Sequence, residues 1–586
     1  MEQSKFGTYW TSWSSGILMN DLGGVGEDYE EVLKLTGSTK PVQLLNYLLL
    51  GLIIMFSAMS SVAHIFATDT VLHRCLLPEC GDTEGGPNNF DLDWLENKVP
   101  VTLDGSPEGC LTFEHLDNRT DRCFFEVNNY GPFESCQRWV FNKTDVTIQR
   151  TFEMLCSEDE WKFALLGQSK SFAAIFSFLL LGILADRYGR SKVLVISLLA
   201  TKVFALIKTM PLYFEIYFVL EVCESLFNGG IYNLALILLL EVVPAKLRYL
   251  FAILFAPFCK YLGYILVALI SKVYRHWQHT YWTVNAPSAV IFLFCIKLLP
   301  ESIRWLMVRG RLGDARVLIL KVIISGKVFE NNYLLRKIAT WYNGSVNQGD
   351  EDFEEESVRT ILSTALSSWK IILRYLVCLV LWCAMAFLNF GLFLNPPILP
   401  DFMDDLYFRN IVLWLMDVPG FLLALGLYRF LDGPKSIGIL LFFSAFSNVA
   451  NVFVPRASYG SYIYYTKLPL YFLSRAAVSG AFASLALSAV EIFPTKLRAT
   501  FLGTFAGLGQ IFVLAAYYTP YINNLFVVQA VFGFLALFSA FWAAFLLPAT
   551  TDKPLPMTIA EAEKTAKNVK KPRYKKMDVE QQKRHL

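Results

Sequence analysis

The chain has 586 residues, of which 54% are hydrophobic, 15% are aromatic and 17% are charged, and its formal net charge is +2. Soluble domains carry roughly 25% charged residues, so this composition excludes a soluble globule, a disordered chain and a fibrous repeat. The small net charge indicates nothing about a nucleic-acid partner. This is the composition of a membrane protein.

Apolar stretches near 20 residues, the length that a helix needs to cross the hydrocarbon core, predict twelve membrane spans. We number them span 1 to span 12. The polar and acidic first 41 residues contain no cleavable signal peptide, so span 1 is expected to act as the membrane signal. The predicted spans lie near 42–67, 162–184, 193–211, 213–240, 249–271, 283–299, 371–394, 410–428, 436–454, 464–490, 499–519 and 523–547.

The connection 69–160 between spans 1 and 2 holds six of the eleven cysteines and two glycosylation sequons, at Asn118 and Asn142. An even set of cysteines beside sequons predicts a disulfide-stapled loop on the oxidising side of the membrane, with its pairing left open. Six free thiols are the less favoured alternative. The cysteines are Cys75, Cys80, Cys110, Cys123, Cys136 and Cys156.

Placing this loop outside the cell puts both termini in the cytosol, which agrees with the positive-inside rule because the short loops on that side are basic. Segment 1–41 is then a cytosolic leader to a first half at 42–299. A charged loop at 300–370, expected to form short cytosolic helices, precedes a second half at 371–547. Residues 548–586 form a basic cytosolic tail.

A repeated motif follows the fourth span of each half. Residues 241–248 read Glu-Val-Val-Pro-Ala-Lys-Leu-Arg and residues 491–498 read Glu-Ile-Phe-Pro-Thr-Lys-Leu-Arg. Five of the eight positions are identical, and the copies are 250 residues apart. Duplicated six-helix halves are typical of transporters whose substrate lies between the halves near the midplane.

Span 2 ends in Gly-Ile-Leu-Ala-Asp-Arg-Tyr-Gly-Arg-Ser-Lys at 182–192. A glycine turn that carries an acid and several bases can pair charges across helix ends and hold one closed state; the alternative is a solvated turn. The pattern resembles the signature loop of the major facilitator superfamily, whereas the corresponding loop at 426–433 is degenerate. The resemblance implies an all-α membrane protein, with twelve transmembrane helices in two pseudo-symmetric halves and a large extracellular disulfide-rich loop.

Three features narrow the resemblance to the organic cation/anion/carnitine transporter family (solute carrier family 22). They are the long cysteine-rich loop, Pro-Glu-Ser-Ile-Arg-Trp-Leu at 300–306, and Leu-Pro-Ala-Thr at 547–550 followed by Leu-Pro-Met-Thr at 555–558. The family usually has an acid where Ala549 stands. The resemblance implies facilitated or ion-coupled movement of small organic ions across the plasma membrane.

Other functional classes lack support. The sequence contains no phosphate-binding loop, no nucleophile elbow and no histidine cluster of metal-ligand spacing. We therefore expect no enzyme, no catalytic residue, no metal and no cofactor. Sodium or a proton remains a candidate coupling ion, and the oligomeric state stays open.

Six ionisable residues fall in the middle third of predicted spans, where insertion costs about 2.5–3.5 kcal/mol and a cavity or a partner is expected. In one interpretation the acids line a water-filled cavity that selects an amine, while Lys260 or Arg475 binds a carboxylate of the substrate or takes part in gating of the transport pathway. In the other, Glu221 or Glu224 pairs with Lys202 or Lys260 as a structural bridge. The six are Lys202, Glu221, Glu224, Lys260, Asp417 and Arg475.

The family resemblance implies further substrate-site residues, and it also shows positions at which this sequence departs from the family pattern. Asp417 matches the family's acid-x-Pro motif in span 8, and Tyr232 stands where the family often has an aromatic residue in the cleft. Glu221 replaces the usual arginine, Asn389 replaces a tyrosine, and Gln510 stands where cation and anion transporters carry opposite charges. Aromatic faces can hold amines, and for this role we select Tyr232, Trp382 and Phe390.

Ten residues are predicted to bind substrate: Glu221, Glu224, Tyr232, Lys260, Trp382, Asn389, Phe390, Asp417, Arg475 and Gln510. Eleven are predicted to act in gating: Gly182, Asp186, Arg187, Gly189, Arg190, Glu241, Arg248, Glu301, Arg304, Glu491 and Arg498.

The sequence thus predicts an alternating-access carrier of small organic ions, with amines or zwitterions of carnitine-like or amino-acid-derived type favoured. An organic anion exchanger is the nearest alternative. A transport-incompetent sensor or scaffold is the alternative from another class, since the second signature loop is degenerate and Glu221 departs from the family.

Overall fold

The structure is a computed structural model. It describes residues 41–77, 82, 90, 109–113, 133–156, 160–211, 213–325, 363, 365, 367–397, 405–454, 462–522, 524–551 and 553–564.

Among the described residues, twelve long helical segments occupy the positions of the predicted spans. Ten are long and apolar enough to cross a membrane: Pro41–Ala67, Trp161–Tyr188, Phe214–Val242, Ala245–Tyr274, Trp369–Leu394, Leu406–Phe430, Gly433–Phe453, Thr466–Ile492, Arg498–Tyr521 and Leu525–Leu546. The other two, Arg190–Ile207 and Trp277–Leu298, stand at the places of spans 3 and 6. Three basic residues, Arg190, Lys192 and Lys202, reduce the mean hydropathy of span 3.

Two spans are broken near their middle. Span 4 consists of the helices Phe214–Asn228 and Ile231–Val242, joined by two glycines whose backbone lies against Ser177 and Leu181 of span 2. Span 8 consists of Leu406–Leu415 and Val418–Phe430. The second helix of span 8 begins next to a proline, which fits only the first turn of a helix.

Spans 5 and 11 also change helix type. Span 5 begins as the short turns Ala245–Leu247 and Arg248–Leu250, passes through a π-helical stretch at Phe251–Phe255 and continues as Ala256–Tyr274. Span 11 runs from Arg498 to Ala516 and ends in the 3₁₀ turn Thr519–Tyr521.

The loop between spans 1 and 2 contains two small antiparallel sheets, which the all-α expectation did not include. Strand β1 (His73–Cys75) pairs with β4 (Trp139–Phe141), and β2 (Leu111–Phe113) pairs with β3 (Phe133–Ser135). A short helix, Ile148–Thr151, leads towards span 2.

Disulfides cross-link this loop, which confirms its disulfide-rich character. Cys75 is bonded to Cys136, and Cys110 is bonded to Cys156. The predicted Cys80, Cys123 and Asn118 lie outside the described residues. The sequon residue Asn142 follows β4, is half-buried, and donates its backbone N–H to Leu72 O at 3.0 Å.

We call the end of the helical bundle that carries this loop the outer end and the opposite end the inner end. After span 6 the inner end carries the short helices Ile303–Val308 and Leu312–Ser325, and after span 12 it carries Ile559–Lys564. Short helices after span 6 agree with the prediction for the described part of loop 300–370.

The two halves pack along spans 2 and 11, and small residues allow this close approach. Gly182 lies against the backbone of Ala499, and Gly503 lies against the backbone of Phe178. A β-carbon at either glycine would collide with main chain of the other half. The spacing of spans 2 and 11 therefore depends on glycine.

Spans 5 and 8 pack along most of their length. Tyr249 stacks on Tyr428 near the inner end with ring centroids 6.0 Å apart, and Tyr264 contacts Trp414 at 5.0 Å further out. At the outer end, Lys272 Nζ is 2.6 Å from Asp405 Oδ2. The halves are thus in contact along these spans at both ends of the bundle.

Candidate functional site

Asp417 lies at the break in span 8 and joins the two halves at mid-depth. Its carboxylate accepts hydrogen bonds from Tyr261 Oη of span 5 at 2.7 Å and from Ser479 Oγ of span 10 at 2.8 Å. Arg475 Nη2 of span 10 lies 3.0 Å from Asp417 Oδ2. The break between helices brings this fully buried acid within reach of both halves.

Lys260 lies on span 5, next to Tyr261. Its ammonium lies 5.0 Å from the ring centroid of Tyr232, 5.6 Å from that of Tyr264 and 5.9 Å from that of Tyr261. Asp417 acts on Lys260 electrostatically, but no described carboxylate forms an ion pair with it. The central cluster therefore holds two bases and one acid.

Span 7 contributes a polar and an aromatic residue to this cluster. Asn389 Nδ2 donates to Ser479 Oγ at 3.1 Å, which places Asn389 one hydrogen bond away from Asp417. The Arg475 guanidinium lies 5.2 Å from the ring centroid of Phe393, which in turn contacts Phe390 at 6.2 Å. The predicted Tyr232, Lys260, Asn389, Phe390, Asp417 and Arg475 are thus brought together.

Trp382 lies nearer the inner end, in an aromatic cluster. Its ring is 5.0 Å from that of Phe482 and 6.2 Å from that of Phe505, and it also lies against Gly509. Gln510, the next residue, is half-buried. No contact described in the structure joins Trp382 or Gln510 to Asp417.

Glu221 and Glu224 belong to a second buried cluster, inside the first half and towards its outer end. Lys208 Nζ pairs with both carboxylates. Glu221 also lies 3.2 Å from Lys170 Nζ and 3.2 Å from His64 Nδ1. The predicted i, i+3 face is present, since both acids meet one lysine.

The predicted partners of these acids were wrong. Neither Lys202 nor Lys260 forms an ion pair with Glu221 or Glu224 among the described contacts. Lys208 was missed because it stands near the end of the predicted third span, where a base is expected to reach water; it is fully buried, and its ammonium lies 4.0 Å from the ring centroid of Tyr281.

A layer of charged and polar contacts connects the halves at the inner end. Asp186 of span 2 accepts from the backbone N–H of Thr500 at 2.7 Å and from its hydroxyl at 2.9 Å. Glu241 binds both Arg190 and Arg498, which come from different halves. These residues of the predicted gating set therefore lie together at a contact between the halves.

Glu301 supports the turn of the signature loop. Its carboxylate accepts from the backbone N–H groups of Arg190 at 2.9 Å and Ser191 at 3.0 Å, at the start of span 3. Gly189 adopts a φ of 114°, and a side chain at this position would collide with Glu301. A left-handed glycine and an acid at a helix N-terminus thus fix the turn.

The remaining gating candidates lie around this layer. Arg248 donates to Lys553 O at 3.1 Å, and Arg304 reaches Leu555 O at 3.5 Å. Glu491 accepts from the hydroxyls of Tyr428 at 3.2 Å and Thr550 at 2.6 Å. Arg187 is exposed and lies over the ring of Tyr188 at 5.3 Å.

Two participants at the inner end were missed by sequence reasoning. Trp305 Nε1 donates to Asp186 O at 2.9 Å, and Arg309 donates to the same oxygen at 2.8 Å. The segment after span 12 contributes backbone oxygens such as Pro556 O, which accepts from Thr495 N–H at 3.0 Å. A backbone oxygen can accept a hydrogen bond whatever its side chain, so the sequence does not reveal such acceptors. The repeat at 491–498 did indicate the segment that donates to them.

Outside the spans, burial alters two acids at the outer end. Burial raises the pKa of the Asp145 carboxyl, and Arg275, at 3.9 Å, partly opposes this effect. Burial likewise raises the pKa of Asp69. In the described part of the chain, no group of three or more His, Cys, Asp or Glu side chains is placed to hold a metal ion.

Comparison with known proteins agrees with this architecture. A family model for sugar (and other) transporters matches residues 136–395. Organic anion transporter 3 of Oryctolagus cuniculus is 28% identical over 556 residues, covering 91% of this chain and 93% of the relative. Organic cation/carnitine transporter 2 of Homo sapiens is 24% identical over 560 residues, covering 91% and 93%.

A solved structure shares the fold. The proton:xylose symporter XylE of the major facilitator superfamily, bound to 6-bromo-6-deoxy-D-glucose, matches with a TM-score of 0.54 at 18% identity, covering 72% of this chain and 93% of that chain. The protein is a multi-pass membrane transporter and not an enzyme. Its relatives match more than nine-tenths of the chain, and the protein is a transporter similar to those of the organic cation/anion/carnitine transporter family (solute carrier family 22).

Proposed function

We propose that the protein is an alternating-access carrier of small organic ions that bear a carboxylate, zwitterions included, and that Lys260 receives this carboxylate. The observation that carries the proposal is the charge of the central cluster. Asp417 is bound by Arg475, Tyr261 and Ser479, whereas Lys260 is surrounded by tyrosine rings. An excess positive charge near mid-depth favours an anionic group as its partner.

The aromatic surroundings of Lys260 suit an organic substrate body. Tyr232 comes from span 4, and Tyr261 and Tyr264 come from span 5, beside the contact with span 8. Flat apolar faces with hydroxyl groups bury organic surface while still offering hydrogen bonds. The names of the relatives include an organic anion transporter and an organic cation/carnitine transporter; carnitine itself carries a carboxylate.

A cationic substrate is the second candidate, favoured by the same tyrosines, because aromatic faces attract quaternary or protonated amines. It was the preferred prediction from sequence, on the strength of three acids at mid-depth. Two of them, Glu221 and Glu224, are neutralised by Lys208 and Lys170 in the second cluster. The third acid, Asp417, would have to release Arg475 in order to bind the substrate amine.

In the proposed cycle, residues 42–299 and 371–547 rock against each other around the central cluster. Opening the inner end requires Asp186 to release span 11 and Glu241 to release Arg498. We further propose that the carrier acts in the plasma membrane, with the disulfide-linked loop outside the cell.

The test is saturable uptake of a labelled panel: aromatic carboxylates, carnitine, quaternary amines and biogenic amines. Wild type is compared with Lys260→Gln and Asp417→Asn at matched surface expression, with Lys192→Gln as the control, since Lys192 is an exposed lysine at the start of span 3. We expect carboxylate uptake whose KM rises at least about tenfold in Lys260→Gln, equivalent to about 1.4 kcal/mol. The control should match wild type.

Other outcomes overturn parts of this proposal. Transport of amines alone, unchanged by Lys260→Gln and abolished by Asp417→Asn, would replace the carboxylate hypothesis with the cation hypothesis. Binding of a panel compound without uptake or counter-flow, from protein that reaches the surface, would favour a sensor.

A further inference from the structure

Lys202 lies in span 3 and is fully buried, and its ammonium contacts only neutral oxygens among the described residues. Its Nζ lies 3.0 Å from Phe56 O, 2.5 Å from Ser60 Oγ and 3.2 Å from Asn285 Oδ1. The amide of Asn285 is oriented by a hydrogen bond from its Nδ2 to Tyr281 O at 2.9 Å. Its oxygen therefore faces the lysine.

Every span packed around Lys202 contributes charged or titratable groups to the adjoining cluster. In that cluster, Lys208 and Lys170 bind Glu221, Lys208 also binds Glu224, and His64 contacts Glu221. The groups are His64 from span 1, Lys170 from span 2, Lys208 from span 3, Tyr217, Glu221 and Glu224 from span 4, and Tyr281 from span 6.

Lys170 connects the two sites, because its Nζ lies 3.4 Å from Ser60 O. Together the region holds three lysines and two glutamates, and both glutamates are engaged by Lys208. Glu224 acts on Lys202 electrostatically but does not contact it. With every lysine protonated and His64 neutral, the buried region carries one positive charge without a carboxylate.

Removing an ammonium from water without a counter-charge is unfavourable, and loss of its proton removes that penalty. The oxygens around Lys202 suit both forms. Ser60 Oγ can accept a hydrogen bond from the ammonium, and its hydroxyl can rotate to donate to the neutral amine. Phe56 O and Asn285 Oδ1 can accept from either form.

We propose that Lys202 is a proton-binding site, at which the ammonium loses one proton to become the neutral amine and regains it from water. The site lies in the first half, apart from the Asp417–Arg475 pair. We propose also that this proton is the coupling ion of the carrier; this second statement rests on the proposed function.

The first experiment needs no substrate. Thermal unfolding of the full-length protein in lipid nanodiscs is followed between pH 6 and pH 9 for wild type, Lys202→Met, Asn285→Asp and His64→Gln. The unfolded chain keeps a lysine protonated up to about pH 10, whereas the proposed site would release the proton from Lys202 in the folded protein within this window. Wild-type stability should therefore rise with pH over this window.

Lys202→Met should lose this rise because no titrating group remains at the site. Asn285→Asp should also lose it, because a carboxylate beside Lys202 retains the proton. His64→Gln should keep it. Any of three outcomes overturns the proton site: the rise in stability persists in Lys202→Met and Asn285→Asp, the rise is lost in His64→Gln instead, or wild type shows no rise. The wild-type measurement can be made even if a variant fails to fold.

The second experiment tests coupling in proteoliposomes that contain a substrate found in the uptake panel. An inward proton gradient should accelerate wild-type uptake severalfold and leave Lys202→Met unaffected. If wild-type uptake does not respond to the gradient while wild-type stability still rises with pH, the coupling proposal is overturned and the proton-site proposal is retained. Failure of every panel compound to move would count against the proposed function alone, since the unfolding experiment does not depend on it.

Discussion

The loops at 182–192 and 426–433 occupy equivalent places in the two halves but form different contacts at the inner end. Aligned so that Gly182 corresponds to Gly426 and Gly189 to Gly433, they place Phe430 opposite Asp186 and Pro434 opposite Arg190. Asp186 is buried and binds the first turn of span 11, whereas Phe430 is 85% exposed.

This difference is one of chemistry more than of backbone position. In each loop the helix of the next span begins at or directly after a glycine, Gly189 or Gly433, but only the first loop has an acid and a base at the two compared positions. Arg190 binds Glu241 and donates to Thr495 O at 2.8 Å. The helices correspond in the two halves, but the contacts of Asp186 and Arg190 have no counterpart at Phe430 and Pro434, so substitutions in the two loops should have unequal effects.

The largest effect is expected for Glu241→Gln. The substitution leaves Arg190 and Arg498, both buried, without the carboxylate that they share. Breaking a buried ion pair by removing one partner costs about 3–5 kcal/mol. We expect a marked fall in folded protein and in the apparent melting temperature, measured by size-exclusion chromatography after heating.

The matched control for that variant is Glu215→Gln, which removes an exposed acid at the outer start of the same span. It should behave as wild type. Equal stability of Glu241→Gln and Glu215→Gln would mean that the inner layer does not depend on its shared carboxylate.

A smaller but more specific effect is expected for Asp186→Asn. The amide is a weaker acceptor than the carboxylate for Thr500, at a helix N-terminus that favours negative charge. We expect a loss of about 1–3 kcal/mol in the contact and a shift towards states that are open at the inner end. Spin labels on the exposed positions Tyr188 and Arg429 would report this shift as a longer interlabel distance.

Phe430→Ser, in the second loop, is the matched control for the distance measurement. It should leave the interlabel distance unchanged, because the phenyl ring faces outwards. An equal lengthening in both variants would show that the two loops contribute equally, against the comparison made above.

The sequence was sufficient for the features that leave a repeated or periodic signal. Span length predicted the helices, the repeat at 241–248 and 491–498 marked one side of the inner layer, and the i, i+3 spacing of Glu221 and Glu224 correctly predicted a shared face. Such signals depend only on local geometry, so one chain suffices to read them.

Pairings between distant segments could not be predicted in the same way. Lys208 lies near the end of its span, outside the middle third from which the ionisable candidates were selected, yet it pairs with both acids. Asp417 and Arg475 were both selected at mid-depth, but their direct pairing depends on the break in span 8. The sequence favoured a cationic substrate, whereas the structure favours a carboxylate, because the preferred sign of the substrate charge depends on which acids already have partners.

The smallest effect is expected for Phe430→Asp, which restores in the second loop the acid that the first loop carries. Because side chains at this position point away from the protein, the new carboxylate should remain solvated, and the free energy of unfolding should change by less than about 0.5 kcal/mol. The interlabel distance between positions 188 and 429 should also stay at the wild-type value. A stabilised protein with a shorter interlabel distance would instead mean that the second loop can turn inwards and bind span 5 as the first loop binds span 11. The difference between the loops would then lie in their residues alone, because the backbone of the second loop could adopt the same contacts.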